Sequence, residues 1–287
     1  MTNAQSDASE TPQPEDWAGE MGTRWLAGID QFESMIAPIG DALLARASFK
    51  TGERVLDLGC GGGATSLTIA ESVGPGGSVT GIDISPDLIA KARERAEAAD
   101  TRNATFECGD AASYKPEAAF DRMVSRFGSM FFPHPVEAFS NLHGCLKQGG
   151  RLDLAVWGPP RDNPWMMEMM AALRRHIDVP PAVPRAPGPF AFEDTDYLKT
   201  VLENARFADI DIIAYHGLQP IGGVGASPDV AVNFAMSSLA AGRLVQHEDE
   251  SLQHRVREDL LTVFGHHHVE GRGVMMAGKA WLVSAWT

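Results

Sequence analysis

The chain has 287 residues, an apolar share of 44% and a formal net charge of −14. That length suits one α/β domain carrying insertions, and that apolar share is enough for a sizeable core. The acidic balance argues against a nucleic-acid partner, whose phosphates need clustered Lys and Arg, and against an anionic membrane surface.

Residues Met1 to Asp16 are polar and rich in Ser, Thr, Gln and Pro, so 1–16 reads as a disordered tail and 17–287 as one domain. Trp17 to Trp25 is an aromatic-bearing segment. A helix is predicted from Ile29 to Ala47, with Phe32, Met35, Ile36, Ile39, Leu43 and Leu44 on its apolar face. Strands are then predicted at Arg54–Leu58, Ser78–Asp83, Ala104–Cys108, Phe120–Ser125 and Arg151–Trp157, with helical runs between them. Pro86 opens one such helix, whose buried stripe is Leu88, Ile89, Ala92 and Ala96. Another, from Pro135 to Leu146, buries Val136, Phe139, Leu142 and Leu146, with His143 packed on the same stripe. Alternation of this kind implies a doubly wound, mostly parallel sheet with right-handed crossovers.

Beyond Trp157 the texture changes. Residues 158–192 are rich in Pro, Met and Trp and break regular periodicity. A helix at Asp194–Asn204 and a strand at Ile210–Tyr215 restore order. Residues 217–273 read as a second insertion, helical around Pro228–Leu244 and Glu248–Phe264, before a closing strand within Val274–Ala285. Ligands of such sheets bind at the carboxyl ends of the strands. Both insertions are expected to leave from that end and cap the pocket, and their Met, Trp and Phe content favours a flexible apolar chamber.

The first strand runs into Gly59-Cys60-Gly61-Gly62-Gly63, and a small-residue helix begins at Ala64. Glycines at alternate positions let the backbone turn sharply and let a ligand approach the main chain. Free N–H groups at the helix start then face that ligand. Asp83 ends the second strand about 20 residues further on, where nucleotide-binding folds hold ribose hydroxyls. An adenosine-bearing cofactor follows. Gly59-x-Gly61-x-x-Ala64 also fits a degenerate dinucleotide pattern, so an NAD(P)-dependent oxidoreductase stays open. Three details favour a sulfonium instead. Asp57, two residues before the first glycine, would repel a pyrophosphate and attract an ammonium. Asp110, after the third strand, can accept from an adenine amino group. Phe127, after the fourth strand, offers an aromatic face to a cation.

Together Val55–Gly63, Gly81-Ile82-Asp83-Ile84-Ser85, Gly109-Asp110-Ala111 and Leu146-Lys147-Gln148-Gly149-Gly150-Arg151-Leu152 resemble the class I S-adenosylmethionine-dependent methyltransferases. The run Ser125 to Phe132 is most similar to the branch with ubiquinone and menaquinone C-methyltransferases and many small-molecule enzymes. The resemblance implies a seven-stranded sheet with an antiparallel C-terminal strand pair, S-adenosyl-L-methionine as cofactor, and methyl transfer to O, C or N of a small, fairly apolar, aromatic-compatible acceptor. It implies that Asp57, Gly59, Cys60 and Gly61 line the methionine and ribose side, that Asp83 binds the ribose, and that Ile84 packs on adenine. Asp110 and Ala111 would meet the adenine edge, the Ser125 carbonyl the ammonium, and Trp25 would close over the methionine end. A reaction other than methylation on the same cofactor also stays open.

For a catalytic base the candidates are His134, between two prolines near the predicted active end, and His267 of the run His266-His267-His268. Adjacent loop histidines point in different directions, so no metal trio is expected. Ser125-Arg126-Phe127 stands where metal-dependent relatives need a carboxylate, and where base-modifying enzymes carry a proline-aromatic motif. Bound magnesium and nucleic-acid acceptors are therefore not expected. Cys60, Cys108 and Cys145 lack metal-site spacing and read as small buried residues in a reducing cytosol. The chain has no long apolar span and no basic-then-apolar start, so the expectation is a cytoplasmic protein acting on a small molecule. A homodimer is left open.

Overall fold

The computed structural model describes residues 16–287. The expected tail lies outside them, save for Asp16, whose carboxylate accepts the Gly19 N–H at 3.0 Å. Two helices come first, α1 (Glu20–Ala27) and α2 (Ile29–Ala47). α2 has both predicted ends and buries Phe32, Met35, Ile36, Ile39 and Leu43, a spacing of three and four that keeps them on one face. Next come β1 (Arg54–Leu58), α3 (Ala64–Val73), β2 (Ser78–Asp83), α4 (Pro86–Ala98) and β3 (Ala104–Cys108). β4 (Phe120–Arg126), α5 (Pro135–His143) and β5 (Leu146–Trp157) complete the alternating part. The start of α4 is fixed locally: Ser85 Oγ accepts the Leu88 N–H and Pro86 supplies the first turn.

The remainder holds α6 (Pro164–Leu173), α7 (Thr195–Asn204), β6 (Ala208–Ile221), α8 (Pro228–Ser237), α9 (Ala240–Val245), α10 (Glu250–His266), β7 (His268–Val269) and β8 (Gly273–Trp286). The sheet runs β3-β2-β1-β4-β5-β8-β6, which is the expected seven-strand path, and the two-residue β7 adds to β8. β1 to β5 are mutually parallel, whereas β8 is antiparallel to both β5 and β6. Strand order reverses between β1 and β4. A crevice therefore opens past their carboxyl ends, and it positions the site.

Several boundaries differ from the sequence reading, two of them for a pairing reason. α5 stops at His143 because Leu146 already pairs with Phe120; the register then slips to Arg122↔Arg151 across the Gly149-Gly150 turn. His143 is half-buried, edge-on to Phe207 at 5.1 Å. β6 continues to Ile221 because β8 offers it partners as far as Val274, so Gly217–Ile221 is strand rather than insertion. Within 158–192, α6 forms and buries Trp165, Met169 and Leu173. Of the cysteines, Cys60 and Cys145 are buried as expected, Cys108 is exposed, and all three are free.

α2 lies along β5, β6 and β8, and α10 packs on α6 and α8. Under α2 sits a buried polar knot. Asp153, 0% exposed, accepts from Arg122 Nη2 at 2.6 Å, Arg151 Nη2 at 2.6 Å and Ser284 Oγ at 2.8 Å. Burial of that carboxylate is tolerated because each oxygen is paired. Among the described residues, no helix is long and apolar enough to cross a membrane.

Candidate functional site

A cavity of about 450 Å³ fills the crevice beyond β1 and β4. Its floor is the loop after β1. There Gly59 adopts φ +64°, and a Cβ on it would lie 2.8 Å from the Gly128 Cα. The chain after β1 and the chain after β4 thus touch backbone to backbone. A Cβ on Gly128 would meet the Leu58 carbonyl oxygen at 2.8 Å and the Gly59 Cα at 2.9 Å. Backbone cannot swing aside as a side-chain tip can. Gly128→Ala is therefore expected to cost about 1–3 kcal/mol of stability and to weaken ligand binding, checked by thermal unfolding and calorimetry.

Asp83 holds this floor in place. Its Oδ2 accepts the Gly61 N–H at 2.9 Å and its Oδ1 accepts the Ser85 N–H at 2.9 Å. Burial raises its pKa from the ordinary value, against the pull of those backbone N–H groups. Asp57 is 1% exposed, and its Oδ2 takes the Ser66 hydroxyl at 2.6 Å. Burial pushes it up to about 6; Ser66 and the Arg126 charge pull it down, while Asp83 adds to the rise. The Cys60 thiol also lines the cavity, but burial, with Asp57 and Asp83 nearby, holds it well above the usual thiol range. It is no nucleophile near neutral pH.

Ile84 stands at the wall, 45% exposed, an apolar face available for a flat ring. Asp110 and Ala111 follow on the same wall, and Asp110 Oδ1 takes the Ala112 N–H at 2.9 Å. Trp25 covers the floor from above: its Nε1 would be 3.9 Å from a Cβ on Gly61, and its ring stacks on Phe32 at 4.0 Å. Trp17 sits beside it, its ring 4.8 Å from Phe131, and its buried Nε1 has no hydrogen-bond partner among the described residues.

The structure thus brings Trp25, Asp57, Gly59, Cys60, Gly61, Asp83, Ile84, Asp110 and Ala111 to one cavity. Ser125, expected there for its backbone carbonyl, is not among the lining residues. That residue is 0% exposed, its hydroxyl donating to the Leu58 carbonyl at 2.9 Å and accepting the Ser129 N–H at 3.1 Å, so it ties β4 to β1. The cavity edge falls instead on Arg126 and Phe127. Phe127 has φ +66° and stacks on Trp157 at 4.5 Å. A non-glycine residue in that region carries a cost of about 1–2 kcal/mol, which its packing offsets.

Neither proposed base reaches the cavity. His134 is exposed at the cap position of α5; its neighbour Pro133 lines the cavity and it does not. His267 caps the end of α10 and contacts Glu168 Oε2 at 2.8 Å, fastening α10 to α6 outside the cavity. Among the described residues, no cluster of His, Cys, Asp or Glu side chains is placed to hold a metal ion. The cavity is walled as well by Met130, Trp157, Trp165 and Met166, and by Leu239 and Arg243 from the second inserted segment. Sequence reading missed Trp17, Arg126 and Gly128. The run Ser125-Arg126-Phe127-Gly128 held the signal, a charged residue at the strand's end with a glycine two positions on.

Comparison with known proteins agrees with this geometry. Residues 49–174 match a family model described as a methyltransferase domain. Aklanonic acid methyltransferase DauC of Streptomyces sp. (strain C5) is 39% identical over 116 residues, 40% of this chain and 53% of that protein. Demethylmenaquinone methyltransferase of Listeria welshimeri is 32% identical over 124 residues, 43% of this chain and 52% of that protein. The match thus spans about half the length of these curated relatives. In fold, the chain is similar to a putative methyltransferase from Bacillus halodurans (TM-score 0.54, 22% identity, 86% of this chain and 97% of that one). It is also similar to phosphoethanolamine N-methyltransferase 2 of Haemonchus contortus in complex with S-adenosylhomocysteine (TM-score 0.58, 16% identity, 96% of this chain and 61% of that one). Over residues 49–174 the chain is thus similar to methyltransferase domains, and its sheet has the fold of solved structures named as methyltransferases.

Proposed function

We propose that this protein is a methyltransferase that moves a methyl group from S-adenosylmethionine to a small, largely apolar acceptor. The observation that carries this reading is the single cavity joining two chemistries. Part of its lining is polar, the glycine floor with Asp57, Asp83 and Asp110; part is apolar, Phe127, Met130, Trp157, Trp165 and Met166. The polar part suits an adenosyl amino acid. Asp83 keeps lone pairs for ribose hydroxyls while its backbone bonds fix the floor. Ile84 packs on the adenine, and Asp110 and Ala111 meet its edge. Asp57 faces the ammonium, and a pyrophosphate placed against that buried carboxylate would be repelled. This disfavours a nicotinamide dinucleotide.

When bound, S-adenosylmethionine supplies a methyl group already activated by its sulfonium. The chain's task is then alignment and exclusion of water, which lower an in-line displacement barrier without an acid–base pair. Trp17 and Trp25 close one side. α6 and the segment before α9 close the other, which is the capping role assigned to 158–192 and 217–273 within one domain spanning 17–287. No histidine is among the residues lining the cavity. His134→Ala is expected to leave kcat within about twofold, read from the initial rate of S-adenosylhomocysteine formation.

The relatives named for aklanonic acid and for demethylmenaquinone favour a small-molecule acceptor. A charge of −14 speaks against nucleic acid, and three unbonded cysteines suit a cytoplasmic setting. Calorimetry tests the reading. S-adenosylhomocysteine should bind while NAD and NADP give no heat. Dinucleotide binding in its place would sink the proposal.

A further inference from the structure

Arg126 ends β4, is half-buried and lines the cavity. The sequence reading gave it no role. Its stem runs against α2, where a Cβ on Gly40 would lie 3.0 Å from its Cδ and Nη1; the glycine makes room for the side chain. No hydrogen bond or ion pair joins its guanidinium to any described residue, whereas nearby arginines use their terminal nitrogens: Arg95 bonds Glu33 at 2.7 Å and the Gly62 carbonyl at 3.0 Å, and Arg122 bonds Asp153 and the Ala47 carbonyl. The acids whose fields reach Arg126 are Asp57, Glu33 and Asp41. Two of these are already committed to other donors, Asp57 to Ser66 and Glu33 to Arg95.

A guanidinium carries five donors in a rigid fork matched to a carboxylate. Those donors are open to the cavity, where a ligand's carboxylate can meet them in place of water. The surroundings indicate which ligand. Arg126 stands one strand over from β1, at the level where that strand gives way to the glycine floor, since Asp57 pairs in register with Val124. A cation and an anion, Arg126 and Asp57, therefore border the same end of the cavity, and both are among its lining residues. Such a pair complements a zwitterion.

We propose that Arg126 receives the α-carboxylate of the cofactor's amino-acid end, while Asp57 receives its ammonium. This rests on the S-adenosylmethionine reading above and deepens it. Arg126 is a positioning residue: by anchoring the tail it fixes where the sulfur sits relative to the acceptor chamber. An acceptor carboxylate is the other source of the same chemistry. It is disfavoured because the acceptor end of the cavity is walled by aromatic and methionine side chains, whereas Arg126 lies beside Asp57.

Calorimetry on the full chain separates the outcomes, with S-adenosylhomocysteine, its decarboxylated analogue and 5′-methylthioadenosine, which lacks the amino-acid end. Arg126→Gln is expected to weaken S-adenosylhomocysteine binding about 30-fold or more and to leave methylthioadenosine within about twofold. Arg126→Lys should recover part of the loss. On the wild-type protein, removing the ligand's carboxylate should cost a similar factor, and that cost should vanish in Arg126→Gln, as coupled groups require. This ligand-side arm decides the matter even if the variants fold poorly. Undiminished binding of S-adenosylhomocysteine by Arg126→Gln overturns the proposal. So does wild-type indifference to the ligand carboxylate, or equal loss of all three ligands in a variant whose unfolding temperature is unchanged. A wild-type protein that binds methylthioadenosine but does not distinguish the carboxylate rejects the role of Arg126 and keeps the cofactor reading; one that binds none of the three rejects both.

Discussion

Replacing Asp83 with alanine is expected to lower the affinity for S-adenosylhomocysteine roughly 100-fold, about 2.7 kcal/mol, while the protein stays folded. Two losses combine. The carboxylate now accepts the N–H groups of Gly61 and Ser85, both at 2.9 Å, and so pins the glycine floor to the end of β2. Bonds to a charged acceptor are worth about 1.5–3 kcal/mol each, and without it the floor is free to shift. The ribose hydroxyls lose their acceptor as well. The fold survives because β2 is held on both sides, by β1 through five paired positions and by β3 through five more. Asp83→Asn keeps one acceptor oxygen and should fall between, near tenfold. Calorimetry reads the affinity and circular dichroism the fold. Unchanged affinity in Asp83→Ala would remove the central assignment of the site.

The second large effect is a pH dependence centred on Asp57. Burial holds this carboxyl at about 6 in the folded protein, against an ordinary value of 3.8. Between those values the folded chain keeps a proton that the unfolded chain has lost. The resulting stabilisation is fully present below 3.8 and disappears as pH rises through 6. Its size is about 3 kcal/mol. Asp121 and Asp162, whose pKa values are lowered, act in the opposite direction, so the clean readout is a difference. Relative to wild type, Asp57→Asn should gain about 2 kcal/mol on going from pH 4 to pH 7.5, measured by denaturant unfolding at each pH. Ligand binding should show the complementary trend. An ammonium prefers the ionised form, so wild-type affinity for S-adenosylhomocysteine should fall toward tenfold per pH unit below 6. Asp57→Asn should bind more weakly at pH 7.5 and lose this slope. A wild-type affinity that is flat between pH 5 and pH 7.5 would rule out Asp57 as the ammonium's partner.

Much of the site was legible because its signals are local. Glycines 59, 61 and 63, the acid at position 83 and the Ser85-Pro86 helix start act within a few residues of themselves, and their backbone consequences hardly depend on context. α2 was readable at both ends because its apolar spacing runs unbroken for five turns and packs as one face. The misplaced elements depend on partners remote in sequence. β6 runs to Ile221 only because β8, some fifty residues later, lies beside it. His267 looked available until α10 brought it against Glu168, 99 residues away. His134 looked central by its position in the chain, but where α5 starts decides which way it faces.

The sequence alone determined the alternating α/β architecture, the glycine floor and the acidic residues around it, since each follows from short-range backbone geometry and charge. Only the tertiary structure decided that the glycine floor rests on Gly128, that Trp17 covers it, and that Arg126 and Asp57 share one end of the cavity. Those relations arise because β4 docks beside β1, and strand adjacency is set by the packing of the whole sheet rather than by any stretch of residues within it.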